Sequence, residues 1–296
     1  MYESARAHAA DVVRHVTATA VADGSDVTTS VRRRVRGLYH YPIKSCRGTS
    51  LEVAVVGPRG IVADRQWMVV DSAGHFLTQR ELPRLALIEP SLRNGLLEIS
   101  APDVPTLSVP VGDAGERVEV VVWRDRCVAV DHGPEAAAWF SRVLGTPCRL
   151  VRIADDEVRR AAREFASPTD QVGFADGFSF LLTSRASLDE LNRRLEIPLP
   201  MNRFRPNIVI DGIEPFEEDG WKRVRIDGIT FEVAKPCARC VTTTVDQHTA
   251  ERSNEPLRTL ATFRKRTGGV MFGQNLIHDR TGVLRVGADV EILESR

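Results

Sequence analysis

Two cysteines, Cys237 and Cys240, sit in the run Lys235-Pro236-Cys237-Ala238-Arg239-Cys240-Val241-Thr242-Thr243-Thr244-Val245-Asp246. A thiolate is a strong soft ligand and nucleophile, yet a free thiol with a pKa near 8.5 is only about 3% ionised at neutral pH. Arg239 and Lys235 are cations placed to raise that fraction. The β-branched residues Thr242 to Thr244 favour an extended chain, which predicts a strand that holds Cys240 at its edge. Three chemistries fit such a pair. A structural zinc site needs four ligands, and neither a second Cys-x-x-Cys nor a His-x3-His exists, with His248 and His278 each alone. A redox dithiol belongs at the start of a helix, and the threonine run argues against one. The third is a single thiolate bound to a soft metal. A metal already carried by an organic cofactor would ask the protein for few metal ligands and several anion contacts.

Candidates for those contacts are present. Tyr41-Pro42-Ile43-Lys44-Ser45-Cys46-Arg47-Gly48 combines a stiff X-Pro entry, a cation, a hydroxyl and a closing glycine in one turn. Arg65 and Arg205 lie among apolar residues, where a guanidinium is either paired or gripping an anion, and Asn207 adds an amide that both donates and accepts. Thr183 and Ser184, at a predicted strand-to-helix junction, would offer hydroxyls and free backbone N–H groups at a positive helix end. Each has a structural alternative. Lys44 fits a solvated turn, Arg65 and Arg205 fit ion pairs with Asp64 or Asp211, and Trp67 and Trp123 fit the core, as do Cys46, Cys127 and Cys148. A charge-assisted hydrogen bond contributes roughly 1.5–3 kcal/mol, so Lys44, Arg65 and Arg205 together would supply about 4.5–9 kcal/mol before ordering costs.

The elements that must carry these residues are mostly short strands. Gln66 to Asp71 and His75 to Gln79 flank a Ser72-Ala73-Gly74 turn, Asn94-Gly95 marks a second hairpin, and Arg117 to Trp123 with Arg126 to Asp131 reads as a third. Pro134 to Leu144 is a helix opened by proline and closed by Gly145. Phe178 to Thr183 is a strand that runs into a helix over Ser184 to Leu195, with Ser187-x-x-Glu190 as its capping box. Trp221 to Ile226 and Ile229 to Ala234 form a hairpin that delivers Cys237. A charged stretch, Asp155 to Glu164, divides the chain into an extension at 1–30 with a helix near 9–20, a first domain at 31–154 and a second at 155–296.

The 296 residues carry 40 basic and 40 acidic side chains, a balance that argues against a general nucleic-acid binder. Five cysteines are too few and too scattered for a disulfide framework, which places the protein in a reducing cytoplasm. No apolar run approaches the roughly 20 residues of a membrane span.

In this order, Tyr41-Pro42-Ile43-Lys44-Ser45-Cys46, Asp64-Arg65-Gln66-Trp67, Phe76-Leu77-Thr78-Gln79-Arg80, Arg205-Pro206-Asn207-Ile208-Val209, Cys237-Ala238-Arg239-Cys240, Phe272-Gly273-Gln274-Asn275 and Leu284-Arg285-Val286-Gly287-Ala288 resemble the MOSC family (molybdenum cofactor sulfurase C-terminal domain) with its N-terminal β-barrel partner. The resemblance runs from about Arg34 to Leu293 and is similar in pattern to the mitochondrial amidoxime reducing component and its bacterial counterparts. It implies a mixed α/β, β-rich fold: a β-barrel MOSC domain behind an N-terminal β-barrel-like domain. It also implies a molybdenum-molybdopterin cofactor that reduces N-hydroxylated or N-oxygenated small molecules.

Carried over by position, Cys240 would be the metal ligand, Asp246 a supporting group or a turn aspartate, and Lys44, Ser45, Arg65, Arg205 and Asn207 the pterin-phosphate contacts. Thr183 and Ser184 match more loosely, and Ala238 stands where relatives can carry serine, leaving only its backbone for contact. The iron-sulfur extension of some bacterial relatives is missing, which implies an external electron donor of ferredoxin, flavin reductase or cytochrome type. The membrane segment of the mitochondrial members has no counterpart in Met1 to Ser30, in keeping with a cytoplasmic protein. Two other functions fit the same motif: a sulfur carrier with a Cys240 persulfide, and a non-catalytic cofactor carrier. Pyridoxal phosphate fits less well, since Lys44 is the sole lysine in an anion-rich setting and no pyridinium partner is evident.

Overall fold

The computed structural model describes residues 32–296, so the expected extension at 1–30 and its helix lie outside the described residues. Strands dominate, with three α-helices among the described residues: Gly133–Leu144, Arg185–Asn192 and Leu257–Phe263. This is the strand-rich mixed α/β class that the sequence predicts.

The largest sheet runs Val290–Ser295, Trp221–Ile226, Ile229–Ala238, Gly269–His278, Phe180–Ser184, Ile208–Asp211, Arg34–His40 and Thr49–Leu51, each hydrogen-bonded to the next. Only Phe180–Ser184 and Ile208–Asp211 pair in parallel, and the helix Arg185–Asn192 lies in the crossover between them. Early and late parts of the chain are interleaved, because Arg34–His40 pairs with Ile208–Asp211 and Val53–Gly57 pairs with Gly282–Arg285. Val35, Leu38, Val56 and Ile61 therefore share one core with Phe180, Leu182, Ile208 and Phe231. Truncating a fully buried member such as Leu38 to alanine would cost about 2–5 kcal/mol.

A second, antiparallel sheet runs Trp67–Val70, Arg149–Ile153, Asp125–Asp131 and Arg117–Val122. Alternation in Trp67–Val70 serves two cores at once: Trp67 and Val69 pack with Ile43, Cys46 and Phe140, whereas Met68 and Val70 pack with Val120, Val151 and Phe174. Phe140 comes from the helix Gly133–Leu144, which has proline in its first turn and ends on Gly145 at φ 71°. The Asn94-Gly95 turn joins Glu89–Arg93 to Leu96–Ser100 with φ of 50° and 78°, the positive pair that a tight hairpin turn requires.

Three local expectations fail for identifiable reasons. Val241–Thr244 is a 3-10 turn rather than a strand. The Thr243 and Thr244 hydroxyls donate to the Cys240 and Val241 carbonyls at 2.9 and 2.8 Å, so local side-chain bonding overrides the β preference. The helix after Phe180–Ser184 is capped by Ser184, whose hydroxyl accepts from Ser187 N; Ser187 lies inside the first turn and starts no capping box with Glu190. Trp123 is 47% exposed, because it occupies a φ 58° position between two hairpin strands and its ring turns away from the core.

Candidate functional site

Several segments converge on an open cleft of about 180 Å³: the turn after Arg34–His40, the turn before Trp67, the loop that carries Arg80, the stretch from Ala175 to Leu181, the loop around Phe204, Asn275, and the end of Ile229–Ala238 with its 3-10 continuation. Lys44, Ser45, Arg65, Arg205, Asn207, Ala238 and Cys240 all line it, so most of the residues that the sequence nominates are brought together. Ser45, Arg65 and Arg205 have left-handed backbones, with φ of 67°, 47° and 54°. Each such non-glycine residue costs roughly 1–2 kcal/mol, and tertiary bonds hold them there. Arg65 N donates to Tyr41 O at 2.8 Å and Arg65 O accepts from Phe174 N at 2.6 Å, while Ser45 O accepts from Gln79 Nε2 at 2.6 Å and Arg205 O accepts from Arg65 Nη2 at 3.3 Å.

The two arginines share one aromatic ring. The Arg65 and Arg205 guanidinium carbons each lie 4.3 Å from the Tyr41 centroid, and the Tyr41 hydroxyl donates to Pro206 O at 3.0 Å. Burial raises the Tyr41 pKa well above the ordinary phenol value, so it stays neutral. Arg65 forms the expected ion pair with Asp64 at 2.6 Å and also donates to Asn207 Oδ1 at 3.0 Å. Asn207 is held at both ends of its amide, since its Oδ1 also accepts from Leu181 N and its Nδ2 donates to Tyr39 O. Its amide therefore orients Arg65. Arg205 does not pair with Asp211; its Nη1 donates to Cys46 O at 2.5 Å, and that is the sole hydrogen bond of its guanidinium among the described residues. Burial, then the neighbouring Arg65, push its pKa down to about 10, which leaves it charged at neutral pH.

Lys44 is buried rather than solvated. Its Nζ donates to Phe174 O at 2.8 Å and to Asp176 Oδ1 at 2.5 Å. Burial lowers the Lys44 pKa, and Asp176 opposes the shift. Trp123 Nε1 donates to Asp176 at 3.0 Å, and Arg80 approaches it at 3.8 Å. Burial alone would raise the Asp176 pKa, but Lys44, Trp123 and Arg80 reverse that and hold it ionised. Asp176 was missed in the sequence, although Phe174-Ala175-Asp176-Gly177 directly precedes a strand that carries candidate residues.

Of the two cations that the sequence suggests, Arg239 reaches a thiol, that of Cys237, and Lys235 does not. Arg239 Nη1 lies 2.9 Å from Cys237 Sγ, and its Nη2 donates to Phe204 O at 2.7 Å. Lys235 sits over the Phe165 and Phe178 rings, 4.8 and 5.5 Å from their centroids. Arg80 is the cation beside Cys240, with Nη2 3.5 Å from Sγ. Burial would raise the Cys240 pKa, but the Thr242 hydroxyl and N–H, followed by Arg80, lower it below the ordinary value. Cys46, Cys127 and Cys148 are buried, as expected of small apolar residues, and burial pushes each thiol pKa up.

Three nominated residues lie outside the cleft lining. Thr183 and Ser184 are fully buried, and their hydroxyls bond inward: Thr183 to Met201 Sδ at 3.3 Å and Ser184 to Ser187 Oγ at 2.7 Å. Asp246 closes a turn by accepting from His248 N and Thr249 N, and it pairs with Arg203 at 3.0 Å. Arg203 in turn donates to Thr243 O and Thr244 O, so Asp246 braces the turn that begins at Cys240.

Residues 32–147 match the family described as MOSC N-terminal beta barrel domain, and residues 169–291 match the MOSC domain. The mouse mitochondrial amidoxime-reducing component 1 is 35% identical over 278 residues, a stretch that covers 88% of this chain and 82% of that protein. The bovine mitochondrial amidoxime reducing component 2 is 36% identical over 241 residues, with 78% and 72% covered. The zebrafish molybdenum cofactor sulfurase is 33% identical over 295 residues, 90% of this chain; the match spans only 34% of the sulfurase.

Proposed function

The chain belongs to the MOSC family, and from that premise we propose that it is a molybdenum cofactor-binding reductase of N-hydroxylated or N-oxygenated small molecules, fed by a separate electron-transfer protein. The observation that carries this reading is the meeting, in one cleft, of a thiol beside a cation, Cys240 with Arg80, and a guanidinium that has no carboxylate partner among the described residues, Arg205. The donor set suits a pterin-held metal. Among the described residues no three His, Cys, Asp or Glu side chains gather to hold a metal ion, so the protein would contribute one soft ligand and rely on the pterin for the rest.

When bound, the cofactor supplies the two-electron chemistry that removes oxygen from the substrate. Arg205, the Ser45 hydroxyl and Lys44 hold its phosphate, and Arg65 is kept in line by Asp64 and Asn207. Arg80 and Thr242 lower the Cys240 pKa and so favour the thiolate form that binds metal, and Asp246, through Arg203, fixes the turn on which Cys240 stands. Of the five cysteines, three are buried and two line the cleft, which leaves no four-thiolate set for a resident cluster. On this reading the supply of electrons falls to a donor of ferredoxin, flavin reductase or cytochrome type. Among the described residues no helix is long and apolar enough to cross a membrane.

The test is elemental and pterin analysis of protein made in hosts with and without molybdopterin synthesis, followed by turnover of a model amidoxime with a chemical reductant. Molybdenum near one per chain with amidoxime reduction is the expected result. Folded protein without molybdenum from the competent host overturns the proposal. The lowered Cys240 pKa also suits a sulfur carrier, which predicts a persulfide on Cys240 by mass spectrometry in metal-free protein. A cofactor carrier predicts molybdenum without turnover.

A further inference from the structure

Two glutamines, neither of them in the cleft lining, form a reciprocal amide pair. Gln79 Nε2 donates to Gln247 Oε1 at 3.1 Å, and Gln247 Nε2 donates to Gln79 Oε1 at 3.0 Å. Both side chains are buried, at 0% and 2% exposure, although a lone amide in that position would face a large desolvation cost. Each partner also grips one half of the site. Gln79 Nε2 donates to Ser45 O at 2.6 Å, the carbonyl of a left-handed residue beside Lys44. Gln247 Nε2 donates to Val245 O at 3.0 Å, at the end of the 3-10 turn that begins at Cys240.

The backbones are tied in the same sense. Arg47 donates to Gln247 O and Arg252 donates to Arg80 O, so the chain on both sides of the pair is anchored across it. Arg80, next in sequence to Gln79, lies 3.5 Å from Cys240 Sγ. A primary amide offers two donors and an acceptor in one plane, so it can close this reciprocal ring and still donate to a backbone carbonyl. A carboxylate in either place could not donate.

Resting on the reading of the cleft as an anion site joined to a thiol site, we propose that Gln79 and Gln247 are positioning residues that set the separation of the two halves. A disturbance on the thiol side then reaches the anion side, and the reverse. The Gln247 side-chain amide bonds only to Gln79 and to Val245 O, and the Arg47 contact is to its backbone carbonyl, which every substitution keeps; this makes it the informative position.

The experiment uses cofactor-free, full-length chain in a Cys237→Ala background and reads two quantities: the rate of Cys240 alkylation at one fixed pH, and the dissociation constant for inorganic phosphate. Gln247→Met and Gln79→Met keep volume and remove the amide, and each is expected to change the alkylation rate at least threefold and to weaken phosphate at least threefold. The double variant is expected to be no worse than the poorer single one, because either change opens the same ring. Where Gln247→Met fails to fold by circular dichroism, Gln247→Asn, which withdraws the amide by one methylene, should move both readouts in the same directions. Gln247 variants that shift the thiol and leave phosphate unchanged overturn the proposal. Additive single effects overturn it, as does a parent protein that holds no phosphate. Both readouts are made without molybdenum, so failure of the reductase reading leaves this result standing.

Discussion

Two polar clusters look equivalent in the sequence and are built to opposite ends. Around Ser184, each hydroxyl finds a protein partner: Ser184 Oγ accepts from Ser187 N at 3.0 Å and donates to Ser187 Oγ, which donates to Glu218 Oε1 at 2.7 Å. The cluster is sealed, with Ser184, Ser187 and Glu218 at 0% exposure. Around Arg205 the pattern is reversed. A buried cation makes one hydrogen bond to a carbonyl, a second cation stacks on the same tyrosine, and three residues keep left-handed backbones beside an open cleft. Polar groups satisfied inside the protein stabilise the fold, whereas polar groups left short of partners beside a cavity store binding energy for a ligand. Residue type does not separate the two cases; the location of the complementary partners does.

The sharpest break of this contrast is Cys240→Ala. Retained molybdenum should fall at least tenfold by elemental analysis of purified protein, while the thermal midpoint stays within a few degrees of the parent. Ser184→Ala should do the reverse: unchanged metal content and a loss of about 1 kcal/mol, as expected for a helix N-cap. A second break within the sealed cluster is Glu218→Gln. Burial raises the Glu218 pKa from 4.5 to about 7, and a raised folded pKa means stability that is complete below 4.5 and lost as pH rises through about 7. The rise corresponds to about 3 kcal/mol. The glutamine variant should therefore match the parent in denaturant melts near pH 4 and exceed it near pH 8. Parallel pH curves for the two proteins would remove the sealed cluster from the comparison.

Much of this was legible in the chain. The hairpin at Asn94-Gly95, the helix Gly133–Leu144 and the joint lining of Lys44, Ser45, Arg65, Arg205, Asn207, Ala238 and Cys240 follow from turn residues, capping and motif order. What escaped depended on partners distant in sequence. Arg80 lies 160 residues from the thiol it polarises, and Asp176 lies 132 residues from Lys44. Thr242 to Thr244 misled because β propensity describes a side chain fitting a pleated surface, and here Arg203 and the threonine hydroxyls bind the backbone as a tight turn instead. Thr183 and Ser184 misled because a strand-to-helix junction suits an anion only if no side chain is already bonded there.

Within the cleft, Arg205→Ala should weaken phosphate or cofactor binding about tenfold to a hundredfold, the range for one charge-assisted bond of roughly 1.5–3 kcal/mol, as read by titration calorimetry. Its effect on stability should be smaller, since the guanidinium contributes one protein hydrogen bond. The smallest change is the most discriminating. Ser45, a residue of the cleft lining, holds φ 67° with its carbonyl bound by Gln79. Ser45→Gly removes the hydroxyl and relieves the left-handed penalty while keeping the backbone bonds, so a gain of about 1 kcal/mol in stability is expected. Phosphate affinity should drop in the same protein, because a donor that reaches the ligand has gone. A gain in stability coupled to a loss of binding is the signature of strain retained for a ligand. A glycine variant that is less stable than the parent would mean that the serine side chain holds the turn itself, and the cleft would then resemble the sealed cluster.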